Sequence, residues 1–228
     1  MIVLCSTAIK STVVELLPSF ERIKAVKVDI AFHPTNEILS LLRGGVIVDA
    51  VVLTKEAIPG LINKGVLVEP IYDFASTCIG VAMKQGLVRP DISTVENLKR
   101  FLIDAPSLSY TSNGVSGVYT AQLIERLGLT RILASKTKLV SGGYAAELIA
   151  TGEVQYSIQN ISELMPIQGI EIIGPLPIEV QLISTFSGAL TSNLLSSASS
   201  ASDVKDFFNF LKSQAAREVF ATKGMTAS

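Results

Sequence analysis

The sequence predicts an α/β fold, and three observations carry that prediction. Apolar residues (AVILMFWYC) make up 48% of the 228 positions while aromatics reach only 6% and Trp is absent. The apolar mass is therefore mainly Ile, Val, Leu and Ala, the usage of buried parallel strands covered by helices. Short apolar runs alternate with segments of helical spacing along most of the chain. Small polar residues recur where a run ends and a helical segment begins, which is where open α/β sheets gather ligands. At this length the chain fits one large domain or two lobes of about 100 residues each.

Taken in order, residues 1–5 read as a buried strand, and the following helix carries Ile9, Val13, Val14, Leu17 and Phe20 at helical spacing. Residues 26–32 are β-rich, 37–43 carry a helical stripe through Ile38, Leu41 and Leu42, and Gly44-Gly45 stops that helix before the apolar run 46–53. A short helix over 57–63 closes at Lys64-Gly65, residues 66–68 run to Pro70, and 79–83 are again strand-like. Pro90-Asp91 opens a loop before a helix through Val95, Leu98, Phe101 and Leu102. Strand 107–110, loop 111–115 and a helix through Tyr119, Leu123, Ile124 and Leu127 follow, ended by Gly128. The rhythm repeats as strand 137–140, Ser141-Gly142-Gly143, helix 144–150, Gly152 and strand 154–158. Leu41-Leu42-Arg43-Gly44-Gly45-Val46 is echoed by residues 148–154, both reading helix, glycine stop, strand. Residues 181–190 are β-rich, the serine-rich stretch 196–202 reads as a surface loop, and Ser202 caps a helix burying Val204, Phe207, Phe208 and Leu211. A last helix through Ala216, Val219 and Phe220 stops at Gly224.

Composition excludes several classes. Lys+Arg is 19 against Asp+Glu 20, a formal charge of -1, so no basic excess is available for a phosphate backbone and nucleic acid is not an expected partner. Charged residues are only 17% and mean hydropathy is +0.47. Yet the most apolar window, 46–53, is broken by Asp49 and falls far short of the ~20 residues of a spanning helix. Cys5 and Cys78 are too few for a disulfide framework and read as buried thiols. Residues 1–4 follow a strand pattern without the basic and apolar regions of a secretory signal. The expected location is therefore cytoplasmic if Met1 is the native start, and periplasmic if a leader has been removed.

Catalytic machinery is sparse. The single histidine, His33, rules out a multi-histidine metal site, and two distant cysteines give no zinc spacing. No Walker loop, G-x-G-x-x-G or G-x-S-x-G occurs, so neither metal nor cofactor is expected. What stands out is the set Ser6-Thr7, His33-Pro34-Thr35-Asn36, Ser112-Asn113-Gly114-Val115-Ser116-Gly117 and Ser141-Gly142-Gly143, each between a predicted strand and a predicted helix. Any one of these reads as an ordinary N-cap. Four on the same kind of edge read as an anion site, because helix starts offer unpaired N–H groups and a partial positive charge.

In that order, residues 1–11, 32–49, 115–128 and 148–162 resemble the molybdate-binding-like branch of the type II periplasmic solute-binding proteins. The wider pattern runs from Ser116-Gly117-Val118-Tyr119 through Leu127-Gly128 and Gly142-Gly143 to Gly152-Glu153 and Gly174-Pro175-Leu176-Pro177. The resemblance implies two lobes, each a mostly parallel sheet flanked by helices, with a ligand cleft between them that closes by a hinge motion. It implies residues 1–78 with 186–228 as lobe one, 79–185 as lobe two, and crossovers near 78–80 and 184–186. By position it also implies ligand contacts from Ser6, Thr7, Thr35, Asn36, Ser116, Gly143, Tyr144 and Asn160, with Ser112 beside them on the strand-end edge. The pattern departs from the molybdate binders at Ala8, at His33-Pro34-Thr35-Asn36, and at Gln159-Asn160 where the family has a tyrosine. The amides of Gln159 and Asn160, with His33 and Lys10, suit a planar carboxylate at least as well as a tetrahedral oxyanion.

The function that follows is a solute-binding protein of an ABC-type transporter, a monomer that captures a small anion and delivers it to a membrane permease. The alternative is an enzyme on the same scaffold, like the aconitate isomerase that resembles this branch. It would catalyse a 1,3 proton transfer on a small tricarboxylate with His33 as base. A ligand-sensing effector domain ranks third, since no helix-turn-helix region accompanies the lobes.

Overall fold

The computed structural model describes residues 1–196 and 201–228. In chain order the strands and helices are β1 (Ile2–Ser6), α1 (Lys10–Lys24), β2 (Asp29–His33), α2 (Thr35–Arg43), β3 (Ala50–Thr54), α3 (Ile58–Ile62), β4 (Leu67–Lys84), α4 (Val95–Asp104), β5 (Leu108–Thr111), α5 (Val115–Arg126), α6 (Thr130–Leu133), β6 (Thr137–Val140), α7 (Glu147–Ala150), β7 (Tyr156–Asn160), α8 (Ile161–Leu164), β8 (Ile170–Pro175), β9 (Ile183–Thr191), α9 (Ala201–Leu211), α10 (Gln214–Thr222) and β10 (Thr226–Ala227). The chain divides into two compact units, Met1–Thr77 with Ser184–Ser228, and Cys78–Ile183.

In the first unit β1 lies between β2 and β3, parallel to both, and β9 runs antiparallel to β3 while β10 pairs antiparallel with the first part of β4. Val3, Leu4 and Cys5 of β1 are all buried, so both faces need cover. One face packs against Val13, Leu16 and Phe20 of α1 and Val204, Phe207 and Phe208 of α9, with Phe20 and Phe207 ring centroids 5.1 Å apart in an edge-on contact. Each buried phenylalanine contributes about 2–3 kcal/mol. Gly188 of β9 makes this packing feasible, since a Cβ there would sit 2.6 Å from the Phe208 ring. The other face is covered by α2 and α3 through Ile38, Ile58 and Leu61.

In the second unit β5 is parallel to β6 and to β7, and β4 carries β7 and β8 antiparallel on its two sides. Leu98, Phe101 and Leu102 of α4 and Leu123 and Ile124 of α5 fill one core, with Phe101 edge-on to Tyr156 at 4.8 Å. Gly117 seats α5 on β5, because a Cβ there would fall 1.6 Å from the Thr111 carbonyl oxygen. The expected parallel strands thus number three in each unit, and the strands that lengthen the sheets run antiparallel.

Several local expectations need correcting. The α1 stripe turns by one position: Val14 is 50% exposed while Thr12 and Leu16 are buried, because the face is set by the aromatic cluster of α9. The run 46–53 becomes strand only from Ala50; Ile47 is 70% exposed, and buried Asp49 accepts from the Ile2 N–H at 2.7 Å. Runs 66–68 and 79–83 are parts of the single strand β4, with a cis bond before Pro70. The helix expected over 144–150 shrinks to α7, because the Gln159 amide engages Gly143 O and Ala146 N and so holds a turn in place of a first helical turn. Ser202 lies inside α9 rather than before it. Cys78 is half-buried, unlike Cys5. Residues 197–200 of the expected serine-rich loop lie outside the described residues.

Candidate functional site

In the first unit the parallel register sets Ser6 beside His33, so the C-terminal ends of β1, β2 and β3 share one edge. Ser6 has extended backbone and caps a 3-10 turn, Thr7–Ile9, its Oγ accepting from the Ala8 N–H at 3.3 Å. Thr7 is buried in that turn. Thr35 opens α2 with a buried side chain whose Oγ1 accepts from Thr54 N–H at 3.4 Å, tying α2 to the end of β3. His33 Nδ1 lies 3.0 Å from Glu37 Oε1, one helical turn on, with the ring partly exposed. Lys10 begins α1 with its ammonium 5.8 Å from the centre of the Phe32 ring, and Asn36 is exposed in the first turn of α2. Sequence reasoning missed Thr54, which completes this edge, and the Lys55–Asp73–Ser187 chain beyond it. Asp73 accepts from Lys55 at 2.6 Å and from the Ser187 hydroxyl at 2.7 Å. Partial burial works to raise the Asp73 carboxyl, and these two donors outweigh it and hold it below the usual range. Asp73 and Ser187 lie inside β4 and β9 rather than at a helix start, so the strand-end signal passes over them.

In the second unit the strand ends meet at α5. Gly114 caps that helix and Ser116 is buried in its first turn. Ser112 is exposed and spans to the neighbouring strand, its N–H donating to Val140 O at 2.8 Å. Gly143 takes a left-handed φ of +78° and leaves Tyr144 half-buried. Gln159 is fully buried and engaged with this turn: Nε2 donates to Gly143 O at 3.2 Å and Oε1 accepts from Ala146 N at 3.4 Å. Its neighbour differs. Asn160, at the end of β7, donates from Nδ2 to Glu163 Oε2 at 2.9 Å, while its buried Oδ1 has no partner.

Glu163 is the residue that sequence reading passed over most consequentially. Its carboxyl is buried, and desolvation pushes it up to about 7 against the opposing pull of the Asn160 side chain and backbone N–H and the Ser116 hydroxyl. The signal was present as Asn160-x-x-Glu163, the spacing of a capping box in which the third helical residue reaches back to the cap.

A cavity of about 840 Å³ in the second unit lies elsewhere, between Arg89–Ser93 and the Ile173–Ile178 segment, and includes none of the strand-end polar residues. Its lining is mostly apolar, and the Arg89 guanidinium and the Gln181 amide within it are engaged by backbone groups, so the strand ends are the better candidate. Among the described residues no cluster of three or more His, Cys, Asp or Glu could hold a metal, and no helix is long and apolar enough to cross a membrane.

Known proteins place this geometry in context. Residues 1–226 match the family described as bacterial extracellular solute-binding protein. An aconitate isomerase from a Pseudomonas species is 32% identical over 197 residues, 83% of this chain and 75% of that enzyme. The periplasmic molybdate-binding protein of Azotobacter vinelandii superposes with a TM-score of 0.79 at 16% identity, covering 99% of this chain and 98% of that one. The sulfate-binding protein of Mycobacterium tuberculosis gives 0.74 at 15% identity over 99% and 85%. At such identities the two structures establish the fold, that of the type II periplasmic binding proteins, and the sequence match spans nearly every residue. The chain belongs to the bacterial extracellular solute-binding protein family.

Proposed function

We propose that this protein captures a small anion outside the cytoplasmic membrane and hands it to the permease of an ABC-type transporter. The single observation that carries the reading is the gathering of buried hydroxyls and amides at the C-terminal strand ends of each unit: Ser6, Thr7 and Thr35 in the first, Ser116 and Asn160 in the second. Such groups hold an anion through fixed dipoles, without desolvating a lysine or arginine. In this reading each unit offers the donors of its own strand-end edge to the anion, and the crossovers at 78–80 and 184–186 act as hinges. The ligand is a small carboxylate or an oxyanion, and the protein works as a monomer. The molybdate- and sulfate-binding relatives support the oxyanion side, and the altered residues His33, Asn36 and Asn160 support the carboxylate side.

A thermal-shift screen with molybdate, tungstate, sulfate, phosphate, malate, succinate, citrate and the aconitate isomers tests this, since a ligand bound only to the native state raises its melting point by mass action. A rise of several degrees with one of them is expected, and none at millimolar concentration removes the reading.

The isomerase relative favours a second reading, in which a bound aconitate undergoes a 1,3 proton transfer. The 3.0 Å contact of His33 Nδ1 with Glu37 would hold the proton on Nδ1 and leave Nε2 as the base, while helix-start N–H groups stabilise the charge that develops on the substrate. Proton NMR of cis- or trans-aconitate incubated with the protein tests this directly. His33→Ala would abolish turnover while retaining part of the binding, and unchanged substrate with the intact protein rules the reading out.

A further inference from the structure

In the second unit the buried polar atoms around the start of α5 do not balance. The first N–H groups of α5 are donors, as an anion requires, while the Ser116 hydroxyl gives its hydrogen to Glu163. Asn160, 4% exposed, places its Nδ2 on Glu163 and so leaves Oδ1, an acceptor, buried without a partner. The amide is held in that sense because Glu163 takes two N–H groups of the same residue, the backbone one and Nδ2, and Ser116 donates to it as well. A buried acceptor without a donor is costly, and it is strongly unfavourable against a ligand oxygen that carries no hydrogen.

We propose that Asn160 selects for a hydrogen-bond donor on the ligand, with Glu163 as the positioning residue that fixes the amide, so that the site prefers an anion bearing an O–H to one offering acceptors only. This rests on the anion-binding reading above. The acceptors of the ligand meet the α5 amides and its O–H meets Asn160 Oδ1, giving an unbroken chain from ligand to Glu163. Protonation of Glu163 reverses the chain. The carboxylic acid then donates to Asn160 Oδ1, the amide turns over, and Nδ2 is presented to the ligand instead. The side chains on Glu163 are uncharged. Of the titratable groups on the elements packed around it, Glu171 of β8 accepts from Gly86 N–H, Tyr119 of α5 donates to Val180 O, and Tyr156 of β7 stacks on Phe101. On α5 there remain Arg126, lying over the Tyr119 ring, and exposed Glu125.

Calorimetric titration of the full chain with hydrogen phosphate against sulfate, and with malate against succinate, tests the proposal, because each pair differs chiefly by one O–H. At about pH 8 the O–H member of a pair is expected to bind about tenfold or more tightly. A preference in the first pair identifies an oxyanion ligand, and in the second a hydroxycarboxylate. Equal or inverted affinities in both pairs overturn the inference, as does molybdate binding when none of the four binds, and both results leave the anion reading standing. No binding by any anion removes both.

Glu163→Gln should shrink the preference to about twofold, since a glutamine accepts or donates equally well, and a preference that survives shows that Glu163 does not set it. Wild-type sulfate affinity provides a further check that needs no variant: it should rise about tenfold from about pH 8 to about pH 6. A flat profile overturns the reversal, and so does a rise that persists unchanged in Glu163→Gln.

Discussion

The two units carry the same kind of polar edge and treat it differently. At the strand ends of the first, Ser6 accepts from the Ala8 N–H, Thr35 from the Thr54 N–H, and His33 leans on Glu37, while Ser11 Oγ and Thr12 Oγ1 in the following first turn of α1 are buried without partners. At those of the second, Thr111 Oγ1 and Asn160 Oδ1 are buried without partners, and Glu163 is a carboxyl kept out of water. Native proteins leave few such atoms unpaired. Ser6, Thr35 and His33 of the first edge find partners within the chain, whereas the second keeps an open acceptor beside a desolvated carboxyl.

Four outcomes would break or sharpen that contrast, in falling order of effect. Gly117→Ala drives a Cβ into the Thr111 carbonyl and should cost more than about 4 kcal/mol, loosening the start of α5 and abolishing anion-induced thermal shifts. Urea unfolding with a probe in the second unit reads it, and a loss below about 1 kcal/mol would mean that α5 does not depend on this close seat. Phe208→Ala, in the first unit, should cost about 4 kcal/mol by emptying the space between Phe74, Phe207 and Tyr72. It should leave the ligand preference unchanged, because its core is not the one that supports Asn160.

The pH dependence of stability comes third. The folded Glu163 carboxyl, at about 7, lies above its reference value of 4.5. Between these values the native state therefore holds a proton that the unfolded chain has lost. Stability is highest below about pH 4.5 for this group and falls as pH rises to about 7, by on the order of 3 kcal/mol. Urea midpoints in that window should decline in the wild type and flatten in Glu163→Gln. The smallest effect belongs to Lys24–Asp206, a 2.8 Å pair of half-exposed side chains. Lys24→Met should change stability by under about 1 kcal/mol, less still at high salt, as equilibrium unfolding would show.

By itself the sequence determined the fold class, most elements, and the strand-end residues of both units, because these follow from local rules. Period-2 and period-3.6 apolar patterns, glycine stops and hydroxyl caps are legible within a dozen residues, and the α9 residues Val204, Phe207, Phe208 and Leu211 are buried as their spacing required. Where an element depended on distant residues, the reading slipped. The α1 face was turned by the aromatic cluster of α9, and helix 144–150 was shortened by Gln159 reaching back from the next strand. Within the site, tertiary structure alone decided which polar residues are already satisfied. Gln159 and Asn160 are adjacent amides with the same chemistry in the sequence, yet one closes a turn and the other is left with an open acceptor. Hydrogen-bond satisfaction and desolvation depend on what lies within a few ångströms in space, so the role of Glu163 emerges only where Ser116 and Asn160 are folded onto it.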